Sequence, residues 1–212
     1  MTPRRVVLWR HGRTAWNATA RFQGTTDVAL DEVGVAQAER AARDLATLNP
    51  DLLVSSDLQR ARATAQALGD LLGLGVVTDP ALRETYAGSW QGLTRDEIVA
   101  HDPDGFARWS AGENVRPGGG ESRTDVAERV AAAVLRHVAA LPPGGSVVIA
   151  THGGAARSGI GALLGLPLEH WTALGGLVNC AWSVLEEQPG GRWRLVEHNA
   201  RSLPEDVVGD EA

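Results

Sequence analysis

Two short apolar runs, each ending in a histidine-glycine pair, restrict this chain more than any other feature. Val6-Val7-Leu8-Trp9 leads directly into Arg10-His11-Gly12, and Val147-Val148-Ile149-Ala150 leads into Thr151-His152-Gly153-Gly154. Four consecutive apolar residues bounded by polar ones suit a central strand covered on both faces, as in a parallel sheet with helices on either side. In open sheets of that kind, ligands sit outside the carboxyl ends of the strands. Two imidazoles at two such ends are therefore expected in one pocket, the first with a guanidinium beside it. That combination suits a nucleophile aimed at an anion, and phosphoryl transfer through a phosphohistidine is the chemistry it points to.

The remaining pattern supports an α/β domain. Residues 13 to 30 are polar and mixed and read as a loop able to cover a site. A helix is expected from Leu30 to about Leu48, stopped by Asn49-Pro50. Leu52-Leu53-Val54 reads as a second strand, after which Asp57 is expected to cap a helix that carries Arg60 and ends at Gly73 and Gly75. Val76-Val77-Thr78 reads as a third strand, and Thr94 to Glu97 has the form of a capping box. Residues 102 to 122, with Pro103, Pro117 and the run Gly118-Gly119-Gly120, read as a mobile insertion or lid. A strong helix is expected over Thr124 to Leu141 and another over Gly154 to Leu164. Leu177 to Leu185 and Trp193 to Glu197 flank Gln188-Pro189-Gly190-Gly191 and suggest a hairpin. Strands alternating with helices predict a three-layer sandwich with a mostly parallel central sheet. Residues 1–201 form one expected domain, and 202–212 an acidic, frayed tail.

Composition excludes several functions. All 20 Lys or Arg positions are arginine, so lysine chemistry, whether P-loop, Schiff base or general base, is absent. The net charge of −6 disfavours a general nucleic-acid or membrane-surface binder. No apolar run nears the roughly 20 residues that cross a bilayer. The start of the chain lacks a signal-peptide pattern, and the expectation is a soluble, cytoplasmic protein. One cysteine, Cys180, permits no disulfide within the chain, and neither His-x-His nor HExxH spacing occurs.

The residues at the strand ends suit a phosphomonoester. Its dianion needs fixed positive charge, which the planar forks of Arg10 and Arg60 match. Neutral imidazole attacks phosphorus, surrounding donors stabilise the charge on the transferred group, and the leaving alkoxide takes a proton from an acid such as Glu84.

At this level of detail the chain resembles the histidine phosphatase superfamily, the phosphoglycerate mutase-like proteins. Leu8-Trp9-Arg10-His11-Gly12-Arg13-Thr14-Ala15-Trp16-Asn17 resembles its signature, and Val54 to Ala61 the segment of its second arginine. Leu82-Arg83-Glu84 with Gly88 to Gly92 is similar to its acid segment; Pro117 to Ser122 and Thr151 to Gly154 complete five motifs in order. The resemblance implies His11 as nucleophile, Arg10, Arg60 and His152 as the phosphate pocket, and Glu84 as proton donor. It also implies phosphate or substrate contacts at Asn17, Gln23, Thr14 and Gly153, with no metal and no organic cofactor. The partner expected is a small phosphorylated metabolite, with a homodimer possible at the family level. The short segment before the second histidine, and Gly154 after it, favour phosphatases over mutases. Trp171 to Gly176 and Asn179 to Trp182 are similar to the C-terminal segment of actinobacterial glucosyl-3-phosphoglycerate phosphatases. A broad-specificity phosphatase and a phosphoglycerate mutase stay open as alternatives.

Outside the motifs, His101, His137, His170 and His198 read as structural. Arg116 and Arg157 are either solvated charges or contacts for a substrate carboxylate. The apolar stretch from Leu177 to Leu185 suits an internal strand or a subunit contact equally.

Overall fold

The computed structural model describes residues 3–202. Six strands form one mixed sheet in the order β3-β2-β4-β1-β5-β6. These are β1 (Arg5–Arg10), β2 (Leu52–Ser55), β3 (Val76–Thr78), β4 (Ser146–Thr151), β5 (Trp182–Gln188) and β6 (Arg192–Ala200). The first four run parallel, and β5 and β6 are antiparallel additions beside β1. Helices fill both faces, giving the expected three layers. Their ranges are α1 (Ala15–Ala18), α2 (Glu32–Ala46), α3 (Gln59–Leu72), α4 (Arg95–His101), α5 (Pro103–Ser110), α6 (Arg123–Ala139) and α7 (Gly153–Leu163).

Strand alternation divides the core. Val7, Trp9, Leu53 and Val148 pack under α2 and α3, whereas Val6, Leu8, Val54 and Ile149 pack under α6 and α7. Because β1 and β4 are buried on both faces, every residue from Val6 to Trp9 and from Val147 to Thr151 is enclosed. The two strands pair in register, Arg10 opposite Thr151, so His11 and His152 leave adjacent strands at one level.

Several local expectations hold. Gly73 ends α3 in the left-handed region (φ 66°), and Thr94 and Glu97 form the reciprocal capping box of α4. Others need correction. Asp57 does not cap α3; its carboxylate grips Arg83 at 2.7 and 2.5 Å. The free N–H of Gln59 goes instead to Asp27 Oδ1 at 2.8 Å, a cap supplied from 32 residues upstream. Residues 13 to 30 contain a short helix, α1, capped by Thr14.

The stretch from 102 to 122 is built structure. Asp102 caps α5, Pro103 occupies its first turn, and Phe106 and Trp109 pack with Phe22 and Trp90 into a separate aromatic cluster. The glycine run that follows serves close approach. A Cβ on Gly120 would stand 1.8 Å from the Tyr86 carbonyl oxygen, and one on Gly118 2.4 Å from that of Ala87.

The expected hairpin begins later than Leu177. Cys180 has φ 57°, which interrupts extended backbone, and β5 starts at Trp182. β5 lies between β1 and β6, so it is an internal strand. Beyond Ser202, the acidic tail lies outside the described residues.

Candidate active site

Each strand end delivers one imidazole. The His11 and His152 rings lie 5.1 Å apart between centroids, and both are buried. His11 Nδ1 lies 2.7 Å from the Gly12 carbonyl oxygen. A carbonyl only accepts, so that contact assigns the proton to Nδ1 and leaves a lone pair on Nε2. Burial holds the His11 pKa well below its ordinary value, and the charges of Arg60 and Arg10 push it further the same way. The ring is therefore neutral at pH 7.

His152 is held from its other side. Its Nε2 lies 2.9 Å from Ser56 Oγ, and Ser56 Oγ also accepts from the Leu58 N–H at 3.3 Å. In the tautomer that suits an anionic ligand, the Ser56 hydroxyl donates to Nε2 and the imidazole proton is on Nδ1. That Nδ1 is buried and has no protein partner among the described residues. Burial lowers this pKa well below the ordinary range too, with Arg60, His11 and Arg10 adding to it.

Two guanidiniums flank the rings. Arg10 donates through Nη1 to the Leu177 carbonyl at 2.6 Å; Arg60 donates to the Thr26 and Gly24 carbonyls, each at 2.8 Å. The Nε of both is buried without a partner, and neither hydrogen-bonds a carboxylate among the described residues. Burial brings the Arg60 pKa down to about 10, so it stays charged at pH 7. Burying a cation without a matching acid is costly unless an anionic ligand supplies the match.

Glu84 reaches the cavity from the loop after β3. Its carboxylate accepts from the N–H groups of Thr85 (2.8 Å), Gly154 (2.9 Å) and Ala155 (2.9 Å), the last two in the first turn of α7. Arg83 plays no part in holding it, being engaged with Asp57.

A cavity of about 210 Å³ gathers Arg10, His11, Asn17, Gln23, Arg60 and Glu84 in one wall, with Phe22 and Trp109 among its other lining residues. A wider groove of about 570 Å³ between α2 and α3 is lined largely by Ala, Val and Leu and holds none of these groups. Thr14 and Gly153 stand behind the cavity. Thr14 caps α1, with Asn17 Oδ1 turned to its backbone N–H at 3.1 Å, and its hydroxyl lies 3.0 Å from Gln23 Oε1. Each amide oxygen is thereby occupied, and the NH₂ ends remain for a ligand. Gly153 opens α7 against the Arg10 guanidinium, about a van der Waals contact from where a Cβ would sit. Among the described residues, no group of three or more His, Cys, Asp or Glu is arranged to hold a metal ion.

Three supporting residues have no signal of their own in the sequence. Ser56 orients His152. Asn179 donates to the His11 carbonyl at 3.1 Å and to Asn17 Oδ1 at 3.2 Å. Arg129, on α6, clamps the acid loop: it donates to the carbonyls of Ala81, Arg83 and Glu84 and to both oxygens of Glu121. Ser56 and Asn179 fall inside segments that carry the family resemblance, which is the one signal that marks them.

Residues 6–201 match the model of the histidine phosphatase superfamily, branch 1. The chain belongs to this superfamily. Among histidine phosphatases it is 44% identical to a glucosyl-3-phosphoglycerate phosphatase of Mycobacterium tuberculosis, over 94% of this chain and 96% of the relative. It is 36% identical to a probable phosphoglycerate mutase, GpmB, of Yersinia pestis, over 86% and 85% respectively. A structure of mycobacterial glucosyl-3-phosphoglycerate phosphatase in complex with VO3 superposes with a TM-score of 0.87 at 44% identity, covering 93% of this chain and 99% of that one. The superfamily works through a phosphohistidine, and this chain is a phosphatase of that type.

Proposed function

We propose that the chain is a metal-independent phosphomonoesterase whose substrate is glucosyl-3-phosphoglycerate, with His11 as the residue phosphorylated. One observation carries the reading: a neutral imidazole with a free Nε2 lone pair shares a cavity with a buried Arg60 and a half-buried Arg10, neither of which hydrogen-bonds a carboxylate among the described residues. His11 Nε2 forms a bond to phosphorus as the ester P–O bond breaks. Glu84, carrying a proton into the step, passes it to the departing alkoxide. Water then attacks the phosphohistidine, Glu84 takes its proton, the P–N bond breaks and inorganic phosphate leaves. Arg10, Arg60 and the His152 Nδ1–H neutralise charge on the equatorial oxygens, where preorganised donors act most strongly. Asn17 and Gln23 add their amide N–H groups, positioned by Thr14, and Gly153 seats Arg10.

The substrate choice rests on the mycobacterial relatives and on the aromatic wall of Phe22 and Trp109, which suits the apolar face of a sugar. The reading includes a cytoplasmic location and, by family resemblance, a homodimer, the latter checked by light scattering. Phosphate release without added metal, compared across glucosyl-3-phosphoglycerate, 3-phosphoglycerate, sugar phosphates and an aryl phosphate, tests it. A preference of roughly 100-fold for the glucosyl compound, about 2.7 kcal/mol in transition-state binding, is the expected result. A flat profile replaces it with broad specificity, and conversion of 3-phosphoglycerate to its 2-isomer replaces it with a mutase. In the same assay His11→Ala abolishes both turnover and acid-labile phosphoenzyme; phosphoenzyme persisting in that variant assigns the nucleophile elsewhere.

A further inference from the structure

Arg157 is the only charged residue of α7 and has no role in the phosphate pocket. Its Nε is buried, and neither it nor the rest of the guanidinium has a hydrogen-bond or ion-pair partner among the described residues. It does not line the catalytic cavity but adjoins that cavity's residues and their neighbours by three routes. Nη2 packs on Gly176, where a Cβ would stand 2.7 Å away, while Arg10 donates to the carbonyl of the next residue, Leu177. The two guanidiniums thus touch consecutive residues, whose α-carbons are about 3.8 Å apart. On α7, Arg157 follows Gly154 by three residues and so shares its face, about 4.5 Å further along the axis. Gly154 itself lines the catalytic cavity and holds Glu84.

The third route is Arg123, the first residue of α6. It donates to the carbonyls of Trp109 and Glu113, and its guanidinium sits 5.5 Å from the centroid of the Trp109 ring, which lines the cavity. Burial holds the Arg123 pKa below its usual value, and the charge of Arg157 adds to the effect, so the two cations are near neighbours. Neither meets an acid among the described residues. Arg116, the other arginine in question, is spoken for: it pairs with Asp125 at 2.7 Å on the surface.

We infer that Arg157, with Arg123 supplying charge behind it, binds the carboxylate of a phosphorylated hydroxy acid whose phosphate is held by Arg10 and Arg60. This assignment rests on the phosphatase reading above and names the residue that holds the carboxylate of the proposed substrate. Arg157 gives the planar, two-pronged donor that a carboxylate matches. Arg123, with its N–H groups already directed to carbonyls, fixes the aromatic wall and makes the corner positive.

The test compares kcat/KM for 3-phosphoglycerate with that for glycerol 3-phosphate, which replaces the carboxylate by a hydroxymethyl group. Arg157→Gln is expected to lower the ratio by about 10- to 100-fold, the usual weight of a charge-assisted pair. Arg157→Lys, which keeps the charge, is expected to restore part of it, whereas a purely structural role gives no substrate-dependent rescue. Equal losses on both compounds, or an unchanged ratio, overturn the assignment. If the unmodified enzyme releases phosphate from neither compound nor from glucosyl-3-phosphoglycerate, the phosphatase reading fails on its own. The ratio of the two Kd values, measured by calorimetry in unmodified and Arg157→Gln proteins, then decides the carboxylate site separately.

Discussion

Acid should destabilise this protein well above the pH at which carboxylates titrate, and the buried histidine pair sets the amount. Both imidazoles are neutral in the fold because burial and the Arg60 and Arg10 charges lower their pKa values far below the ordinary one. In the unfolded chain each titrates near 6.5. Below that pH the unfolded state binds more protons than the folded state, so stability falls as pH falls. Full stability is present above about pH 6.5 and is lost progressively down to the folded pKa values. Between pH 7.5 and 5.5 a pair of rings that stays neutral in the fold loses on the order of 3 kcal/mol. The carboxylates with lowered values, such as Asp79 and Glu121, act in a separate window below about pH 4.5. Urea unfolding at the two pH values reads the effect. With a slope near 2 kcal/mol per molar, the midpoint should fall by about 1.5 M. In a His11→Gln, His152→Gln double variant most of that shift should disappear. A midpoint as pH-sensitive in the double variant as in the unmodified protein would refute the neutral-pair account.

Two further substitutions probe the acid loop. Glu84→Gln should slow hydrolysis of alkyl phosphates by on the order of 100-fold or more, and that of an aryl phosphate with a good leaving group far less. Equal losses on both substrates in steady-state assays would remove Glu84 from the role of acid. Gly120→Ala places a methyl group 1.8 Å from the Tyr86 carbonyl oxygen, in contact with backbone that has no side chain to move aside. Overpacking of this kind costs about 1–3 kcal/mol, a fall of several degrees in Tm for a chain of this length. An unchanged melting curve would show that the glycine run is not a close-packing device.

What the sequence revealed and what it concealed follow from the range of the interactions. The strands β1 and β4 were legible because burial on both faces writes itself as an unbroken apolar run, and the histidines follow those runs directly. The Thr94 and Glu97 cap and the Gly73 stop were legible because each is completed within a few residues. The cap of α3 was not, since its acceptor is Asp27 and no local rule reaches 32 residues back. In the α5 segment, Asp102 before Pro103 is a local helix-start signal, but the prolines and glycines there suggested a mobile insertion. What orders it is an aromatic cluster assembled from Phe22, Trp90, Phe106 and Trp109, which come together only in the fold. Asn179 and Arg129 act across even longer separations, 168 residues to His11 and 45 to Glu84.

Charge shows the same limit in a form that matters for function. The chain as a whole carries −6, yet its cavity concentrates Arg10 and Arg60, and among the described residues neither hydrogen-bonds a carboxylate. Glu84, the carboxylate that enters, is tied to backbone N–H groups at the start of α7 and forms no hydrogen bond with either guanidinium. The helix end thus does the work an arginine would otherwise do, since its N–H groups are orphaned donors with a positive dipole behind them. Were Glu84 instead paired with Arg10 or Arg60, the cavity would hold a closed ion pair and have little attraction for a phosphate dianion. Tying the acid to the first turn of α7 instead of to the cations lets a single small cavity offer both a proton carrier and an unsatisfied anion site.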